Sequence, residues 1–264
     1  MTNRFKHISF PWYTTLFSVV LIAYFTVLVF LSSDGSVEVE EMLTMGAPSA
    51  ISIYNGHLYG LITNTLIHEN IWHLLLSLGG LWTFGFYLEN YKGWKFLSVF
   101  GFFSALVGSI IQLAYSDDAG VGISSSLFAL CTYSSLHTIF IRKENIKIAI
   151  PVALLIAGSL LFFMISNLWL DDKVTIGAKV AGSLWGIFFF YSERLKSPYK
   201  HIAPLAVVFI LSFTVVYAPW SSMWQTTKGI EAHNNQELEL AEGFYHAALE
   251  LDGMNGVATE NIRR

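Results

Sequence analysis

Of the 264 residues, 54% are hydrophobic, 16% aromatic and only 13% charged, with a mean hydropathy of +0.53. That balance excludes an ordinary soluble globular domain, which carries about 25% charged residues, and places the chain in a lipid bilayer. The formal net charge of −4 is spread over loops without a basic stripe, so it argues no nucleic-acid partner, and the single cysteine, Cys131, excludes an intrachain disulfide.

Seven stretches are long enough to cross roughly 30 Å of hydrocarbon. The first, 12–32, is too long for the apolar core of a signal peptide and no small-residue cleavage site follows it, so it is read as a span. The second, 71–88, carries His73 and Ser77. The third covers 94–115. The fourth, 122–141, opens on Gly122-Ile123-Ser124-Ser125-Ser126. The fifth is 146–170. The sixth, 174–192, contains Ala178, Lys179, Gly182 and Gly186, and the seventh is 202–224. The expected class is an all-α polytopic membrane protein, with a membrane domain over 1–224 and a short, polar, helical tail over 225–264.

If the spans alternate, Arg4, Lys6, Lys92, Lys95, Arg142, Lys143, Lys147, Arg194, Lys196 and Lys200 share one side, which is ten of the fifteen cations. Opposite them lie Asp34, Glu38, Glu40, Glu41, Asp117, Asp118, Asp171 and Asp172, with Lys173 as the one short-loop cation. The positive-inside rule then makes the N-terminus cytoplasmic and the acidic loops external, and seven spans leave the tail outside. Short loops and this topology fit a bacterial inner membrane.

Lys179 is the residue that most needs an explanation. A lysine at mid-bilayer costs roughly 3 kcal/mol or more, so it implies a function, a partner or a route to water. Counted from Asp118 and Lys173, Ser124 and Lys179 each lie six residues into inward-running spans, or about 9 Å deep at 1.5 Å per residue. The same arithmetic from Glu69 puts His73 about 6 Å and Ser77 about 12 Å deep, and positions four apart share a helix face. A serine, a lysine and a histidine–serine pair therefore reach one level. Ala178, Gly182 and Gly186 repeat at four-residue intervals, the small-xxx-small pattern that lets membrane helices approach closely, and Gly122 with the serines after it makes the fourth span a fitting neighbour.

From about Met42 to Phe190 these residues resemble the rhomboid intramembrane serine proteases. Met42–Ala47 with Asn55–Thr63 is similar to the family's first loop. Leu66-Ile67-His68-Glu69-Asn70-Ile71-Trp72-His73-Leu74-Leu75-Leu76-Ser77 is similar to the stretch ending in HxxxN, Gly122-Ile123-Ser124-Ser125 to GxSG, and Ala178-Lys179-Val180-Ala181-Gly182 to AHxxG. The resemblance implies a six-helix core with a seventh span added at the C-terminal end. It implies that Ser124 holds the place of the nucleophile and Lys179 that of the general-base histidine. His73, Ser77 and the Ser124 backbone N–H would line the oxyanion site. The departures fall on the same positions: Ser77 replaces asparagine, Ser125 replaces glycine, Lys179 replaces histidine, and Tyr59-Gly60 stands where the family has a Trp-Arg pair.

Two functions follow. One is a pseudoprotease that binds transmembrane segments of client proteins, with Lys179 either reaching the interface or plugging the site. The other is an endopeptidase cutting single-span proteins, since Ser–Lys pairs are a recognised variant of Ser–His catalysis. A transporter would need broken helices or an internal repeat, and neither is seen. No cofactor is implied. His57, His68 and His73 with Glu69 do not have HExxH spacing, so no metal is expected, and His137 lies about 20 Å along the helix from Ser124, too far to replace the base. In the tail, Ala241, Tyr245, Ala248 and the turn Leu251–Asn255 resemble the second helix of a tetratricopeptide repeat. One partial copy should dock on something, either a partner protein or, as the reading preferred here, the chain's own outer loops.

Overall fold

A computed structural model of the protein describes residues 10–32, 39–142 and 176–263; the expected fifth span, 146–170, lies outside them. The described residues are helical and contain no strand, as a bilayer demands, because an α-helix satisfies its backbone polar groups within one segment. Four helical segments are long and apolar enough to cross a membrane. They are α1 (Trp12–Leu31), the run Ile71–Lys92, α7 (Trp94–Ser116) and α10 (Tyr199–Val216). Short helices α2 (Val39–Thr44), α3 (Ala50–Tyr54) and α4 (Gly60–Thr63) build the loop after α1. The Ile71–Lys92 run consists of α5 (Ile71–Gly80), a π-helical turn at Leu81–Gly85, and α6 (Phe86–Lys92).

Two shorter helices sit at the centre, α8 (Ser124–His137), prolonged by a π-helical turn at Thr138–Arg142, and α9 (Ile176–Ser192). Nearly every residue of α8 is buried, including Ser124, Ser125, Ser126, Ser134 and Ser135. A helix surrounded by protein has no need of lipid-compatible side chains, and small hydroxyl residues let its neighbours come close. α9 packs more extensively on α8 than on any other element, and glycine is the reason. A Cβ on Gly182 would lie 2.1 Å from the Ser125 carbonyl oxygen, and one on Gly186 would lie 2.6 Å from that of Ala129. From the other side, a Cβ on Gly108 of α7 would meet Ser125 Oγ at 2.0 Å. Below this contact, Phe100, Tyr133, Trp185 and Phe190 fill the core.

Helix α1 lacks a cap of its own. Glu89 supplies one from α6, its carboxylate accepting the Tyr13 and Thr14 amides at 2.8 and 2.9 Å and the Thr14 hydroxyl at 2.7 Å. A buried carboxylate at a helix N-terminus answers both the orphan N–H groups and the helix dipole.

The last span ends at Val216, short of the expected 224. Pro219 disfavours helix at the residue before it, and Ser221 then caps a new helix, α11 (Ser222–Asn234), by accepting the Trp224 amide at 2.9 Å. The Asp117 carboxylate, at the turn after α7, accepts the Ser222 amide at 3.0 Å and the Ser221 hydroxyl. Trp220 and Trp224 direct their indole N–H groups to the carbonyls of Ala114 and Val216. Helix α11 rests on α3 and pairs with α12 (Leu238–Leu251), the Tyr245 ring lying so close that a Cβ on Gly229 would meet it at 2.4 Å. A last helix, α13 (Gly256–Ile262), is capped by Asn255, whose amide also donates to Ser222 and Thr226.

Because a Cβ at 182 meets rigid backbone, Gly182→Ala should push α9 off α8 and destabilise the protein by about 1–3 kcal/mol, as overpacking does. Thermal unfolding in detergent should show a lowered midpoint. Gly243→Ala on exposed α12, where a Cβ meets nothing within 4 Å, should hold or raise it.

Candidate active site

The turn from Asp117 to Ile123 delivers Ser124 to the first position of α8, so its amide is among those left free at a helix start. Asn64, buried in the loop after α4, fixes that turn. Its side-chain amide donates to the carbonyls of Ala119 at 3.0 Å and Gly120 at 2.7 Å, and its own carbonyl accepts the Gly122 N–H at 3.0 Å. Gly122 takes φ +84°, and a Cβ there would lie 2.7 Å from His73 Nε2. Only glycine allows both the backbone angle and the approach of the imidazole. Beyond it, Ser125 and Ser126 are engaged in packing, donating to the carbonyls of Ser104 at 2.7 Å and Gly101 at 2.9 Å. The Ser124 hydroxyl has no hydrogen-bond partner among the described residues, and it borders a small cavity of about 10 Å³ shared with Thr65, Ser109, Gly122 and Ala178. That is room for roughly one water molecule.

The Asn70 side chain caps α5 by accepting the His73 amide at 2.9 Å. His73 Nδ1 stands 4.0 Å from Glu69, one turn away, and its ring meets the edge of His68 at a centroid distance of 4.9 Å. Ser77, on the same face, is buried and its hydroxyl too lacks a partner among the described residues. Lys179 is only 5% exposed and lies within electrostatic reach of the Glu69 carboxylate and the His73 ring. Gln112 places the start of α9, its side-chain oxygen accepting the Ala178 amide at 2.8 Å while its nitrogen donates to Ser116 at 2.7 Å.

The structure thus gathers His73 and Lys179 beside the turn that carries Ser124, with Gly122, Ala178 and Gly182 as the small residues that let them meet. Gly186 lies a turn farther down the α8–α9 contact. Ser124 stands at the helix start rather than a turn and a half into it, because residues 119–123 form a buried turn. Asn64 and Gln112 were not singled out from the sequence. A lone amide in an apolar span was the available signal for Gln112, and Asn64 offered none beyond its polarity.

His68 is fully buried, its Nδ1 3.3 Å from the Leu66 carbonyl and its Nε2 without a partner. Burial, with the neighbouring His73, lowers its pKa from 6.5 to about 4. A depressed pKa contributes stability that is complete above pH 6.5 and is lost as the pH falls toward 4, on the order of 3 kcal/mol for such a shift. Thermal midpoints measured in detergent between pH 7 and 4.5 should fall, and His68→Phe should flatten that slope.

A family model described as Rhomboid domain matches residues 55–196, more than half of the chain. Rhomboid protease GluP of Bacillus subtilis (strain 168) is similar, 27% identical over 194 residues that cover 71% of this chain and 36% of that protein. The chain therefore spans about a third of the length of the curated relative it matches. With its apolar helices, and with the serine-bearing turn between α7 and α8 inside the matched segment, this multi-pass integral membrane protein belongs to the rhomboid family.

Proposed function

We propose that this chain binds the transmembrane segments of other membrane proteins and that its proteolysis is impaired, Lys179 standing where the family's general-base histidine would be. The observation that carries this reading is the division of partners at the site. Ser124 has no hydrogen bond among the described residues, Lys179 included, whereas Lys179 lies within electrostatic reach of the Glu69 carboxylate. A serine hydroxyl without an adjacent base is a weak nucleophile, and loss of the base alone lowers rates roughly 100- to 10,000-fold. Ser77, with a shorter reach than asparagine, weakens the oxyanion site further.

In this reading the N-terminus is cytoplasmic and Ser124 opens toward the outer face of a bacterial inner membrane, which the bacterial source of the similar protein supports. Residues 1–224 hold the membrane domain. Helix α11, which leads into the tail 225–264, rests on α3 of the first loop, and the tail could also receive a protein partner there. A second reading, cleavage of single-span proteins by a Ser124–Lys179 dyad, is favoured by the burial of Lys179 in the same site.

Fluorophosphonate labelling of the purified protein tests both. The expected result is no labelling of the native chain and labelling gained in Lys179→His. Native labelling that disappears in Ser124→Ala and in Lys179→Ala would overturn the first reading and establish the second.

A further inference from the structure

A second cavity, of about 170 Å³, lies between α1, α7, α8 and the stretch 62–66, walled by Phe17, Leu66, Leu97, Phe102, Leu127 and Leu130. It follows α7 from Ala105 down to Leu97, eight residues or about 12 Å, with Tyr13 lining the lower end. The serine and threonine hydroxyls on its wall are already committed. Thr63 donates to the carbonyls of Gly46 and Tyr59, Thr65 to that of Ile62, and Ser126 to that of Gly101. Water would find few partners there, and apolar cavities that cannot hydrogen-bond stay dry. A client helix does not fit either. At about 10 Å in diameter, a 12 Å length of helix fills roughly 900 Å³, more than the whole open space of the groove and its mouth, about 730 Å³.

The rim is formed by Phe102, which is exposed, and by the partly exposed Phe17 and Leu127. Leu16 and Val20 on α1 and Val99 on α7, each within a turn of a rim residue, are exposed as well, so the groove opens on an apolar surface. A hydrocarbon chain is the one occupant that is narrow, apolar and supplied by that surface. We propose that this groove holds one acyl chain of a membrane phospholipid. The site would not be remote from Ser124, because Thr65, Ala105 and Ser126 wall both this groove and the small cavity beside the serine.

The test uses the full chain in vesicles of phosphatidylglycerol and phosphatidylethanolamine doped with a phospholipid carrying a diazirine on one acyl chain, followed by mapping of the adducts. Adducts on Phe102 and Leu127 should exceed those on Phe209, a lipid-exposed residue of α10, several-fold. Gly101→Leu should reduce them to the Phe209 level; a Cβ at 101 meets nothing within 4 Å, and circular dichroism and the thermal midpoint verify that the variant folds. Should the variant misfold, adding undoped phospholipid in excess to the native protein must deplete the groove adducts more slowly than those on Phe209. Equal adducts at all three residues, adducts unchanged in a folded Gly101→Leu protein, or displacement by a single-span peptide that itself becomes cross-linked in the groove would each overturn the proposal. The readout does not involve Ser124 chemistry, so it stands or falls apart from the proteolytic reading.

Discussion

The contact of Gly182 with the Ser125 carbonyl sets the position of most of what surrounds it. Inside a bilayer the helices are not pressed together by water, and their association depends on close van der Waals packing. Dispersion falls steeply with separation, so a backbone that is allowed to touch gains what a methyl group in the way would forfeit. Three helices converge on Ser125 through Gly108, Gly182 and the serine itself. Gln112 adds a directional bond by holding the Ala178 amide. The start of α9, and with it Lys179, is thereby fixed against the turn that carries Ser124.

Elsewhere in the membrane domain the buried polar groups are largely satisfied. Glu89 finishes α1, Asn64 ties the 119–122 turn, and the serines of α8 donate to carbonyls of α7. Of the groups without a partner among the described residues, His68 Nε2 and the hydroxyls of Ser77 and Ser124 lie toward one end, whereas Tyr54 Oη, Ser134 Oγ and Trp185 Nε1 are buried elsewhere. Local rules of satisfaction are broken most readily where a site must remain open to a second molecule. The grouping of three such atoms near the α8 start is an observation independent of any motif.

Much of this was legible in the sequence, because span length and hydropathy follow directly from bilayer thickness. The expected first span, 12–32, and third, 94–115, match α1 and α7 within a residue at each end. The small-residue spacing of Ala178, Gly182 and Gly186 announced a close helix contact, though not its partner atom. What escaped is long-range or local in a different sense. The expected seventh span runs through Pro219 and Ser221 in a stretch that stays apolar, while the carboxylate that anchors the start of α11 comes from Asp117, more than a hundred residues away. The π-helical turn at Leu81–Gly85 leaves no mark in composition. Asn64 and Gln112 matter through carbonyls and amides that only the fold brings near.

The way α9 is held has an evolutionary consequence. Its place is set by glycine against backbone and by the Gln112 amide, neither of which involves the side chain at 179. A change of residue there leaves the scaffold its own independent supports, so selection on chemistry at this position can relax or reverse without taking the architecture with it.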